Sequence, residues 1–105
     1  MRVVEYEQTV RTQGRRAVVD LTPDVAAAVR ESGIANGVAC LWSPHTTCRL
    51  RFAARAAGLD ERLAPAGSLL AVRDGELVGG GTRRILLVEL DRERERTWLL
   101  QIVGD

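Results

Sequence analysis

The sequence predicts an α+β fold: a mostly antiparallel β-sheet assembly with one clear helix. Period-two segments rich in β-branched and aromatic side chains recur along the chain, from Val4–Thr12 to Arg96–Val103. One stretch, opening at Thr22 and closing at Gly33, carries a full set of helix start and stop signals. The last third holds two alternating strands joined by a charged turn. At 105 residues, the chain reads as a single domain over residues 1–105. A domain of that size buries roughly two thirds of its unfolded surface, so its core needs no staple.

Val4–Thr12 reads as the first strand, Gly14 as a turn, and Arg16–Leu21 as the strand returning. Thr22, Pro23 and Asp24 then supply a hydroxyl N-cap, a proline at the first helical position and an acid in the first turn. This helix places Val25, Ala28 and Val29 on one face, and Ile34 follows the glycine cap as its apolar contact. Gly37–Trp42 is a short apolar run suited to a buried central strand. After Ser43-Pro44, Thr47–Phe52 alternates, with Arg49 and Arg51 on one side and Leu50 and Phe52 on the other. Ala53–Leu63 is alanine-rich and reads as a short helix broken at Gly58.

Ser68–Val72, a turn at Arg73-Asp74-Gly75, and Glu76–Val78 form a predicted hairpin, followed by a loop of Gly79, Gly80 and Gly81. Arg84–Asp91 and Arg96–Val103 form the second predicted hairpin, with Arg92–Arg96 as a solvated turn of mixed charge. Leu86, Val88 and Leu90 share one face and Ile85 and Leu87 the other, with Glu89, and likewise Trp98, Leu100 and Ile102 oppose Leu99 and Val103. Such a hairpin needs a second layer or another subunit over the face that would otherwise be wet.

Composition excludes several chemistries. Apolar residues are 46% and charged residues 28%, the balance of a globular chain. All fifteen basic residues are Arg, which removes Schiff-base chemistry and a Walker-type phosphate loop. The net charge of +1 gives no electrostatic reason to bind nucleic acid or an anionic membrane. A single His excludes a two-His metal motif within one chain, and neither a metal nor a cofactor is expected. The charged start and the absence of a long apolar run point to a cytoplasmic protein.

Ser43-Pro44-His45-Thr46-Thr47 is the least generic segment. It follows a strand, a helix opened by Thr22, and Ser32-Gly33-Ile34-Ala35-Asn36-Gly37. It precedes Gly81-Thr82-Arg83-Arg84, an apolar strand, a charged turn and a final strand ending at Gly104-Asp105. In this order the chain resembles the YjbQ family, small bacterial and archaeal proteins often labelled secondary thiamine-phosphate synthase. The resemblance spans about the first fifty and last forty residues, and the middle is shortened. Cys48 stands where the family has Ala, and Arg83 and Arg84 stand where it has Trp and Gln. The family's acidic element and its second histidine segment have no counterpart here; Asp60 and Glu61 are the nearest acids downstream.

The resemblance implies a homotrimer, and it implies that His45, Thr46 and Thr47 converge with Gly81 and Thr82 on a site for a small anionic metabolite. His45 is the expected acid/base, with Thr46 and Thr47 beside it as hydroxyl partners. Gly80, Gly81, Thr82, Arg83 and Arg84 are the expected substrate-binding set, glycine-loop amides and guanidinium groups forming an anion cradle. Against these readings stand a His that satisfies a local backbone hydrogen bond and an arginine pair on a solvated edge. Cys48 lies three positions from His45, hence on the opposite face of an extended strand, and reads as a buried thiol. The competing function is a non-catalytic oligomeric binding or scaffold protein.

Overall fold

The computed structural model describes residues 1–13, 17–53, 67–79, 81 and 83–105. The turn expected at Gly14, the helix expected beyond Ala53, and two of the expected site residues, Gly80 and Thr82, lie outside them.

The described residues form eight strands and one helix: β1 (Arg2–Arg11), β2 (Val18–Asp20), α1 (Thr22–Ser32), β3 (Gly37–Trp42), β4 (Cys48–Ala53), β5 (Gly67–Arg73), β6 (Glu76–Leu77), β7 (Arg84–Glu89) and β8 (Glu95–Gly104). Five strands make one sheet in the order β1-β8-β3-β5-β6, and three make a second in the order β2-β7-β4. Every strand pair is antiparallel. The α+β reading therefore holds.

Two expected hairpins do not form. β1 pairs with β8, from Arg2 opposite Gly104 to Arg11 opposite Glu95, while β2 pairs with β7. β7 and β8 sit in different sheets, so the segment between them crosses from one layer to the other. Period-two alternation identifies a strand but carries no information about its partner. Here β7 takes the middle of the three-stranded sheet and β8 an interior place in the five-stranded one, between β1 and β3. Ile85 and Leu87 from β7 then share one core cluster with Trp98, Leu100 and Ile102 from β8. That arrangement removes more apolar surface from water than a two-stranded ribbon does.

The same core takes Val25, Ala28 and Val29 from α1, the face the sequence predicts. The start of α1 differs from expectation: Leu21 is the N-cap and makes no side-chain cap bond. Instead the Thr22 hydroxyl accepts the Ile85 N–H at 2.7 Å, and Asp20 Oδ1 accepts the Thr22 N–H at 2.9 Å. Tertiary contact thus takes the hydroxyl that a free helix would use on its own first turn. The end of the helix is as predicted. Gly33 has φ +72°, and Ile34 is fully buried. The β5–β6 turn forms at Asp74 and Gly75, both with positive φ.

Candidate functional site

β3 ends at Trp42, Pro44 interrupts the extended chain, and β4 restarts at Cys48 opposite Glu89 of β7. This connection is held by a buried polar network. Glu89 and Arg96 occupy the last and first inward positions of β7 and β8, where the inner rows of the two sheets meet. They are 0% and 6% exposed. Arg96 Nε donates to Glu89 Oε1 at 2.6 Å, and Arg96 Nη2 donates to Thr47 Oγ1 at 2.7 Å. Thr47 Oγ1 donates in turn to Glu89 Oε2 at 2.9 Å, and Cys48 Sγ donates to the same oxygen at 3.4 Å. A buried charge pair persists where each partner also finds further hydrogen bonds, as both do here.

The network sets the titration of its members. Burial pushes the Glu89 carboxyl upward, but hydrogen bonds from Arg96, Thr47 and Cys48, with the Arg96 charge, hold it below the ordinary carboxylate range. Burial, reinforced by the Glu89 charge, pushes the Cys48 thiol up to about 11. Cys48 is thus a protonated hydrogen-bond donor and not a nucleophile, in keeping with the buried thiol the sequence suggests.

Above the network lies an open cleft of about 310 Å³ lined by Trp42, Ser43, Pro44, His45, Thr46 and Arg49. His45 is half-buried and Thr46 exposed. His45 Nε2 accepts the backbone N–H of Thr97 at 3.1 Å, and the His45 carbonyl accepts the Cys48 N–H at 3.3 Å. Arg49 Nη1 donates to the carbonyls of Thr46 at 2.8 Å and Cys48 at 2.9 Å, which ties a guanidinium to the cleft wall.

Of the expected site residues, His45 and Thr46 line this cleft, whereas Thr47 turns into the network beneath. Gly81, Arg83 and Arg84 lie at the other end of β7. Arg84 faces Ala53 in the register while Glu89 faces Cys48, five residues or about 17 Å along the strand. Arg84 Nε pairs there with Asp20 Oδ2 at 2.8 Å on the surface. Within one chain, the glycine-loop arginines and His45 therefore do not meet.

Sequence reasoning missed Arg49, Glu89 and Arg96. It placed Arg96 in a solvated turn, whereas Arg96 opens the inward row continued by Trp98, Leu100 and Ile102. A charge at the end of an apolar period-two row, in each of two strands, was the available signal. Among the described residues, no group of three His, Cys, Asp or Glu side chains is placed to hold a metal ion.

These features define a small two-sheet α+β protein whose candidate site sits on the loop between two strands of different sheets. The sequence model for the UPF0047 protein YjbQ-like family matches residues 6–64, which include that loop, and the chain belongs to this family. It is similar to UPF0047 protein MJ1081 of Methanocaldococcus jannaschii, 22% identical over an alignment covering 95% of this chain and 94% of that protein. Among solved structures it resembles a YbjQ-like protein of unknown function from Sulfolobus solfataricus P2, with 25% identity, TM-score 0.80, and coverage of 99% of this chain and 100% of that one. A hypothetical protein from Aeropyrum pernix K1 is similar at 25% identity and TM-score 0.81, with 100% of both chains covered.

Proposed function

We propose that this protein is a small YjbQ-like enzyme acting on an anionic metabolite, phosphorylated or carboxylated, bound in the cleft between Trp42 and Arg49. Chemistry of the kind that labels the family as thiamine-phosphate synthases belongs to this class. The observation that carries the reading is the placement of the one imidazole of the chain and a guanidinium, His45 and Arg49, on the wall of one cleft. Arg49 supplies charge and a planar set of donors, and Thr46 a hydroxyl. The anion-holding role expected of Arg83 and Arg84 falls to Arg49 within a chain; Arg84 joins only where a neighbouring copy carries it to the cleft. Of the two ring nitrogens of His45, Nε2 is engaged by the Thr97 amide, so any part His45 takes in the chemistry is played through Nδ1. We place the protein in the cytoplasm; no helix of the described residues is long and apolar enough to cross a membrane.

The bond between His45 and Thr97 also favours the second reading, a non-catalytic scaffold in which the imidazole serves only a backbone amide. Thermal shift with inorganic phosphate and a panel of phosphorylated and carboxylated metabolites, read beside turnover, separates the two. Under the enzyme reading, Arg49→Ala abolishes ligand stabilisation and His45→Ala abolishes turnover, each in a protein that stays folded. Arg84→Ala in the same assay reports any contribution from a neighbouring copy. If no ligand stabilises the parent and His45→Ala lowers the melting temperature, the scaffold reading replaces the enzyme.

A further inference from the structure

A backbone amide can only donate, so the Nε2 that faces Thr97 N at 3.1 Å is an acceptor and carries no proton. The neutral ring then holds its proton on Nδ1, which makes no hydrogen bond to any described residue. Taking up a second proton would put two N–H groups head to head at Thr97. The ring as placed is therefore a neutral donor: it can offer Nδ1–H to an oxygen but cannot shuttle a proton without breaking its bond to the backbone. A neutral imidazole held in one tautomer by a second contact is an established way of polarising an oxygen without proton transfer.

Both sides of that contact are anchored on one buried carboxylate. Thr97 follows Arg96, which is locked to Glu89 and to Thr47. The loop bearing His45 is tied to the same Glu89 through Thr47 Oγ1 and Cys48 Sγ, and its backbone is held where Leu90 N donates to the Thr47 carbonyl at 2.9 Å. The donor amide and the ring that receives it thus share an anchor that spans both sheets. An arginine is suited to this task because its Nε and Nη2 reach two different oxygens in a fixed geometry, which an ammonium does not.

We infer that His45 acts in the cleft as a neutral Nδ1–H donor to an oxygen of the bound anion, and that Glu89 and Arg96 are positioning residues that hold it in this tautomer. The inference rests on the anion-binding reading for its ligand, but the tautomer and its anchoring stand on the hydrogen bonds alone.

The experiment uses the one imidazole of the chain as its own reporter. In protein labelled with ¹⁵N at histidine, long-range proton–nitrogen spectra at mildly alkaline pH show a protonated Nδ1 and an unprotonated Nε2, and inorganic phosphate moves the Nδ1 resonance. His45→Asn, whose amide reaches the place of Nδ1, keeps phosphate affinity within a few-fold. His45→Gln reaches the place of Nε2, keeps the bond to Thr97 through its carbonyl, and loses about tenfold in affinity, the equivalent of one hydrogen bond to a charged group. Arg96→Lys, with Thr47→Val as the milder variant, shifts the ring toward a mixture of tautomers. A dominant Nε2–H form in the parent overturns the inference. So does an unchanged tautomer in both Arg96→Lys and Thr47→Val when their melting temperatures fall, because the pair is then structural only. If phosphate moves nothing in the parent while the tautomer and its response to Thr47→Val are as stated, the anion-binding reading fails and the positioning role stands.

Discussion

At the residue scale, the pair formed by Glu89 and Arg96 governs the candidate site. Breaking a buried pair by removing one charge leaves the other unpaired, at a cost of about 3–5 kcal/mol. Glu89→Gln is expected to lose about 3 kcal/mol in urea unfolding at neutral pH, since the amide keeps the shape and part of the hydrogen bonding. The pH dependence has a definite sign. The folded carboxyl titrates below the ordinary 4.5, so its stabilisation is complete above that value and declines as pH falls through the lower, folded one. The stability gap between parent and Glu89→Gln should therefore be constant near neutrality and close in acid, as urea titrations at stepped pH will show. A gap that widens in acid would mean that the carboxylate is not the stabilising form. Glu89 was legible in the sequence as a charge amid Ile85 and Leu87, yet its partner was not. Arg96 follows a run of alternating charges, and only its inward position on β8 separates it from the solvated arginines before it.

At the element scale, the tightest fit joins β3 to β8. Gly37 and Gly104 are register partners, and a Cβ on Gly37 would lie 2.0 Å from the Val103 carbonyl oxygen. A Cβ on Gly104 would lie 2.1 Å from the Asn36 carbonyl oxygen. Both obstacles are backbone, which has no rotamer by which to withdraw. Gly37→Ala should therefore cost about 2 kcal/mol or more, as β3 must move off β8. Gly75→Ala meets open space but must hold φ +77°, and should cost only about 1 kcal/mol. Calorimetric melting of the two variants checks the order; equal losses would mean that the β3–β8 contact yields. The helix was legible almost in full because its signals are local: Gly33 stops it and the apolar spacing orients it. The role of Thr22 was not, because its hydroxyl serves Ile85, sixty-three residues away.

At the scale of the whole molecule, the five-stranded sheet leaves an apolar patch on its outer face, around β3 and β5. The register sets Val3, Val103, Val38 and Ala71 in one row across β1, β8, β3 and β5, with Leu69 beside Cys40 and Trp42 beside Leu99 in the rows that follow. Val3, Trp42 and Leu69 are 60%, 53% and 74% exposed, and a shallow hollow of about 480 Å³ runs from Cys40–Trp42 to Gly67–Leu69. An apolar patch of this kind, bordered by Glu5, Glu7 and Gln101, suits an interface between copies, and we propose that it serves the homotrimer implied by the family resemblance. Light scattering at micromolar concentration should give three times the chain mass, and Leu69→Glu should give the single-chain mass without loss of folded signal. A well-folded parent monomer would refute the assembly.

What the sequence determined alone is local: the strand segments, the helix and its glycine stop, the face that α1 buries, and the loop bearing His45 and Thr46. Each follows from periodicity, turn chemistry or the conformational range of single residues, which act within a few positions of the chain. The tertiary structure alone decided which strands pair, that β7 and β8 belong to opposite layers, that Arg84 turns to Asp20, and that Glu89, Arg96 and Thr47 close beneath His45. Those outcomes depend on how the interior strands β7 and β8 of the two sheets share one core. A chain with this many alternating strands can satisfy that condition in several pairings, and the buried area and hydrogen bonds of the assembled layers select among them.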